Sequence, residues 1–215
     1  MKILYVDTTS NYLYTGVVEN NEILGQVKKR FDHELSTMAL ATIVDMLNDI
    51  DVKPNDIEKI ILVNGPGSFT GCRIGITIAK VYSWALNIPI SLISSLEAMS
   101  TIKTDCDFVV PIIDARREYV YSGIYDNKGN SILKDQYVKK SVIETAINNM
   151  SDNFIYITND DIDLDGDIVK YDPDILEIVN RYKERENVNP HGIDANYLKL
   201  TEAEEKLNNG NDWNC

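Results

Sequence analysis

Two periods of hydrophobicity run through this chain. Residues 2–7 form an apolar run ending in Asp7, then Thr8, Thr9 and Ser10, which reads as a buried strand entering a turn. Tyr12–Val18 and Ile23–Phe31 read as two further strands. Asn20-Asn21 between them suits a tight hairpin, because Asn tolerates positive φ. The period then lengthens. Over 34–50, Leu40, Ile43, Val44 and Leu47 fall at i, i+3, i+4 and i+7, one face of a helix. Leu35, Met38, Ala39 and Ala41 spread apolar surface beyond that stripe. Residues 58–63 read as a strand, with Ile60-Ile61-Leu62-Val63 fully apolar. A glycine-rich turn and a second helix over 74–86 follow.

Between Ile74 and Leu86 only Lys80 is charged, and a helix apolar all round must be buried all round. Two arrangements satisfy that. The helix is sandwiched in its own domain, or its outer side, with Ile76, Lys80, Ser83 and Trp84, is covered by another protein. Asn87-Ile88-Pro89 closes the helix, Ile90–Ile93 reads as a buried strand, and Ser94-Ser95-Leu96-Glu97-Ala98 starts a short helix. Phe108–Tyr125 reads as two strands joined at Asp114–Arg117. Ser141-Val142-Ile143-Glu144 has the form of a capping box for a helix to about Met150. A strand at 154–158 and an amphipathic helix at 175–185 complete the pattern. No internal repeat or low-complexity linker is present.

A length of 215 residues allows one large or two small domains, and 44% apolar residues suffice for a core. There is no run of 18 apolar residues, and the first residues are too short and acid-interrupted for a signal peptide, so a soluble, cytoplasmic chain with no membrane association is expected. The net charge of −13 is uneven. Residues 1–103 hold 9 Lys/Arg against 11 Asp/Glu, whereas residues 104–215 hold 12 against 23. The break suggests a domain boundary, 1–103 against a smaller acidic 104–215. Such a balance argues against the chain gripping a phosphate backbone alone.

Candidate chemistry centres on Gly65-Pro66-Gly67-Ser68-Phe69-Thr70-Gly71-Cys72-Arg73-Ile74-Gly75. Strand, glycine turn and helix start can present free N–H groups to an anion, or simply let a helix lie close to a sheet. The spacing of Gly65, Gly67 and Gly71 is not that of dinucleotide folds, and no Lys follows as in a P-loop. Cys72, Cys106 and Cys215 make no metal or disulfide spacing; Cys72, near a helix start, is either a stabilised thiolate or a small packing residue. Asp161-Ile162-Asp163-Leu164-Asp165-Gly166 fits the start of a calcium loop. Asp172 at its twelfth position and a preceding strand favour a hydrated acidic loop. The two histidines, His33 and His191, form no i, i+4 metal pair.

The string at 65–75 resembles, almost word for word, the signature of the TsaB (YeaZ) family. That family is the non-catalytic partner in bacterial threonylcarbamoylation of tRNA. Ile113-Asp114-Ala115-Arg116 followed by aromatics, the Ser94–Ala98 run, and the tail Ala195–Glu204 with Tyr197-Leu198-Lys199 are similar to the family too. The tail departs by having Lys199 for the usual Arg. The resemblance implies an α/β, two-domain actin-like ATPase (ASKHA, ribonuclease-H-like) fold, with mixed sheets flanked by helices. In active relatives of that fold the first strand's Asp, here Asp7, helps position a metal–nucleotide complex. Asp7, Gly65, Gly67 and Gly71 are therefore candidates for a vestigial nucleotide site, although Asp7 also suits a simple turn cap. The second phosphate turn of active members, Asp-x-Gly, is Asp114-Ala115-Arg116 here and lacks its glycine. The resemblance further implies no catalytic residue, cofactor or metal of its own. It implies a partner surface at Leu35, Met38, Ile76, Lys80, Ser83 and Trp84, a TsaD-like catalytic subunit, a TsaE-like ATPase, a homodimer when alone, and tRNA met only through the complex. A stand-alone actin-like ATPase or kinase, and then a metallopeptidase, are the alternatives.

Overall fold

The computed structural model describes residues 1–199. Two five-stranded sheets carry the chain. The first contains β1 (Ile3–Asp7), β2 (Tyr12–Glu19), β3 (Glu22–Arg30), β4 (Lys59–Val63) and β5 (Ile90–Ile93), in the order β3-β2-β1-β4-β5. β1 pairs antiparallel with β2 and parallel with β4, and β4 pairs parallel with β5. The second contains β6 (Phe108–Asp114), β7 (Tyr119–Asp126), β8 (Ser131–Lys139), β9 (Phe154–Ile157) and β10 (Ile168–Val169), in the order β10-β9-β6-β7-β8. Its pairing repeats the first: a meander of antiparallel strands, then two parallel additions on the other side of the leading strand. This is the ribonuclease-H-like arrangement, present twice.

Alternation along β1 and β4 explains how the first sheet is covered. Leu4, Val6, Ile60 and Leu62 join a core with α1 (Leu35–Asp49) and α2 (Phe69–Leu86). Ile3, Tyr5, Ile61 and Val63 join a separate core with Ala98 of α3 (Ser95–Met99) and with Ile175, Ile178, Val179 and Tyr182 of α5 (Ile175–Tyr182). α4 (Lys140–Asn148) covers one face of the second sheet through Ile143 and Ile147. The line expected at 103/104 falls between α3 and β6. The chain nevertheless crosses back beyond β10, and α5 buries on the first sheet, so the acidic half also completes the N-terminal core.

The hairpin turn carries Asn20 and Asn21 at φ 50 and 66, as its residue types require. Other details differ from expectation. β8 is an edge strand with mostly half-buried or exposed residues, so no clean alternation marks it, and β10 has only two residues. Ser141 is not a cap: α4 starts at Lys140 behind Lys139, whose side chain makes no cap bond. α2 starts at Phe69 rather than Ile74, because Ser68 Oγ accepts the Gly71 N–H at 3.2 Å and brings Gly71 inside the first turn.

Candidate functional site

The glycines of the 65–75 string face backbone. A Cβ on Gly67 would stand 2.2 Å from the Thr9 carbonyl oxygen, one on Gly71 2.1 Å from that of Thr8, and one on Gly75 2.5 Å from Thr8 Oγ1. Three glycines thus let the start of α2 press onto the Thr8-Thr9 turn after β1. Hydrogen bonds close the junction. Ser68 N–H donates to the Thr9 carbonyl at 2.6 Å, and Thr8 Oγ1 donates to the Gly71 carbonyl at 2.7 Å. Cys72 N–H goes to the Ser68 carbonyl at 2.9 Å. Donors that a phosphate would need at Ser68, Gly71 and Cys72 are turned inward. Cys72 itself is buried, which pushes its thiol up to about 12, so it is a packing residue.

Asp7 ends β1 at the floor of a cleft of about 530 Å3 between the two sheets. Its Oδ1 accepts the Thr9 N–H at 2.9 Å and the Thr9 hydroxyl at 2.7 Å, the geometry of a turn cap. Burial raises its carboxyl above the usual carboxylate range against the pull of those bonds. Gly67 also lines the cleft; Gly65 and Gly71 do not, and Gly65 instead lies against Cys72 and Asn196. Asp114, Arg116, Tyr121 and Asp160 line the opposite wall. Arg116, Arg117 and Glu118 all adopt left-handed backbone, φ 67, 55 and 65, in the turn between β6 and β7. Among the described residues no cluster of three His, Cys, Asp or Glu could hold a metal ion, and the acidic 161–166 loop supplies none.

The outer side of α1 and α2 is the second distinctive surface. Met38, Leu40 and Val44 on α1 and Phe69, Val81 and Trp84 on α2 are exposed, Trp84 by 76%. A groove of about 510 Å3 runs between the helices past Leu40, Phe69, Arg73 and Thr77. A smaller one lies beside Val81, Trp84 and His191. The tail adds to this face. Tyr197 stacks on Phe69 with ring centroids 5.6 Å apart, and Arg73 sits 3.8 Å over the same ring while its Nε donates to the Tyr197 hydroxyl at 3.1 Å. Of the residues expected here, Met38 and Trp84 are exposed and Lys80 is half-buried. Leu35, Ile76 and Ser83 are buried within the chain. Ile76 and Leu35 fill the core under the helices, and Ser83 Oγ donates to the Ile88 carbonyl at 2.5 Å. Leu40 and Val44, read with Ile43 and Leu47 as one apolar face, part from them and face outward, because Leu35, Ala39, Ile43, Met46 and Leu47 form the buried stripe. Glu202 and Glu204, part of the expected tail likeness, lie outside the described residues.

The tRNA N6-adenosine threonylcarbamoyltransferase (TsaD) family model matches residues 21–155, more than half of the chain. A tRNA threonylcarbamoyladenosine biosynthesis protein, TsaB of Bacillus subtilis, is 32% identical over 96% of this chain and 97% of its own. The chain belongs to the TsaB family. TsaB of Escherichia coli is 26% identical over 73% of this chain and 71% of its own. The solved structure of YeaZ from Pseudomonas aeruginosa superposes with a TM-score of 0.73 at 19% identity, covering 92% of this chain and 99% of that one. A second solved structure, described as an uncharacterized protein with similarity to peptidase YeaZ from the same organism, gives a TM-score of 0.77 at 20% identity, again over 92% and 99%. These two likenesses establish the fold, two sheets of the same topology flanked by helices. As a TsaB-family member the chain takes part in tRNA threonylcarbamoyladenosine biosynthesis. No helix among the described residues is long and apolar enough to cross a membrane.

Proposed function

We propose that this TsaB-family chain is a non-catalytic subunit that docks the catalytic threonylcarbamoyltransferase through the outer faces of α1 and α2. The observation that carries the reading is the exposure, on two neighbouring helices, of Met38, Leu40, Val44, Phe69, Val81 and Trp84. Large apolar groups gathered on one face mark a protein-binding surface. Its role is to order or activate its partner, with a TsaE-like ATPase completing the assembly and tRNA entering through the complex. The same face supports self-association when the partner is missing. The inward-turned donors around Ser68 and the Thr9-capped Asp7 favour this reading over a stand-alone ATPase. Reconstitution tests it. The catalytic subunit is purified with and without this chain and scored for threonylcarbamoyladenosine formation on tRNA. Stimulation by the wild type and none by Trp84→Asp is the expected result. ATP turnover by the chain alone, abolished by Asp7→Ala, would reverse the assignment.

A further inference from the structure

We propose that the β7–β8 face beside the cleft is a stacking surface for unpaired bases of an RNA strand, an inference resting on the chain's proposed place in a tRNA-modifying complex. In the β7–β8 register Tyr119 lies opposite Lys139, and Tyr121 opposite Tyr137, so all four share one face. The Tyr119 and Tyr137 rings stack at 4.8 Å and 15°, and Tyr121 follows at 5.5 Å from Tyr137. None of the three rings is fully buried. Tyr121 also lines the cleft, so the rings form steps leading outward from it.

Cations surround these steps. Lys199 Nζ lies 5.4 Å from the centre of the Tyr137 ring. Exposed Arg116 and Arg117 stand in the left-handed turn that opens β7, and exposed Lys139, opposite Tyr119, lies at the same end. Arg116, Arg117, Lys139 and Lys199 make no salt bridge among the described residues, although Glu118 and Asp114 are close in sequence. Aromatic rings flanked by unpaired cations are how proteins hold single-stranded nucleic acid: bases lie against rings and phosphates meet the cations. The net charge of −13 repels a polyanion at long range. The contact is therefore short-ranged, dominated by stacking, and dependent on a partner to bring the RNA near. A free nucleotide shares the base and phosphate chemistry, but it would use only the Tyr121–Arg116 end at the cleft.

Ultraviolet cross-linking decides between these sources. The full chain, alone and with the catalytic subunit, is irradiated with tRNA, with a single-stranded oligonucleotide, or with AMP, and tryptic peptides are sequenced. Cross-links from either RNA to the peptides Glu118–Lys128 and Asp135–Lys139 are expected. Tyr137→Ala and the pair Arg116→Ala/Arg117→Ala should each weaken RNA binding by the complex about tenfold. The arginine pair should also reduce the salt dependence by about two phosphate contacts. Capture of the catalytic subunit, read in parallel, should not change, so failure of docking is distinguishable from failure of this proposal. Cross-links confined to the catalytic subunit, unchanged RNA affinity in both variants, cross-links from AMP alone, or protection of these peptides by the protein partner without RNA would each overturn it.

Discussion

At the residue scale, the glycine string is a close-packing device. Gly71→Ala must move either the Thr8 carbonyl or the start of α2, since its Cβ would lie 2.1 Å from that oxygen. Overpacking of this kind destabilises by about 1–3 kcal/mol, which lowers Tm by roughly 2–12 °C in a chain this size, and differential scanning calorimetry should show it. Asp7 works in the opposite sense. Its carboxyl is raised in the fold above an ordinary value of 3.8, chiefly by burial, so the ionised form is disfavoured there. Its contribution to stability is present below the unfolded-state pKa and is lost as pH rises through the folded one. Asn at this position keeps an oxygen for both Thr9 donors and carries no charge. Asp7→Asn should therefore melt higher than wild type at pH 8, and the gap should close near pH 3.5. A gap that widens with acid would contradict this account.

At the scale of elements, the two long helices are read by their outward residues. Trp84→Asp touches a side chain 76% exposed and should leave Tm nearly unchanged while abolishing capture of the catalytic subunit. Ile76→Asp buries a charge in the core under the helices and should unfold the chain or lower Tm by more than 10 °C. Chromatography and melting curves on the pair separate surface from core. What the chain's pattern made legible follows from periodicity. Ile60–Val63 and Phe108–Ile113 are buried on both faces and read plainly, as did the Asn20-Asn21 hairpin. The buried side of α1 is not legible because the helix carries two overlapping stripes: Leu40, Ile43, Val44 and Leu47 fit a helical face as well as the truly buried Leu35, Ala39, Ile43 and Met46 do. Only the sheet beneath decides between them. Of the four outward candidates on α2, Trp84 faces outward while Ile76 and Ser83 are buried. The contact of Phe69 with Tyr197 is not legible, since the two residues lie far apart in sequence and no local pattern encodes their pairing.

At the scale of the molecule, side chains from both halves tie the sheets together. Asp135 on β8 accepts the hydroxyls of Ser94, which caps α3, and of Tyr125 on β7. Arg185 grips Glu97 of α3 with two hydrogen bonds, at 2.6 and 3.1 Å. Asp135→Ala strands two buried hydroxyls and should lower stability by about 2–3 kcal/mol. Hydrogen exchange should quicken at both α3 and β8, and quickening at β8 alone would mean that the tie is not shared.

The return of α5 to the first sheet has a consequence for synthesis. While the ribosome is still making residues 104–170, Tyr5, Tyr14, Val18 and Ile61 have only the short α3 beside them and lack α5. The nascent N-terminal half must wait, much of that side uncovered, until Ile175 and the rest of α5 emerge, and during that interval it is a natural client for a chaperone.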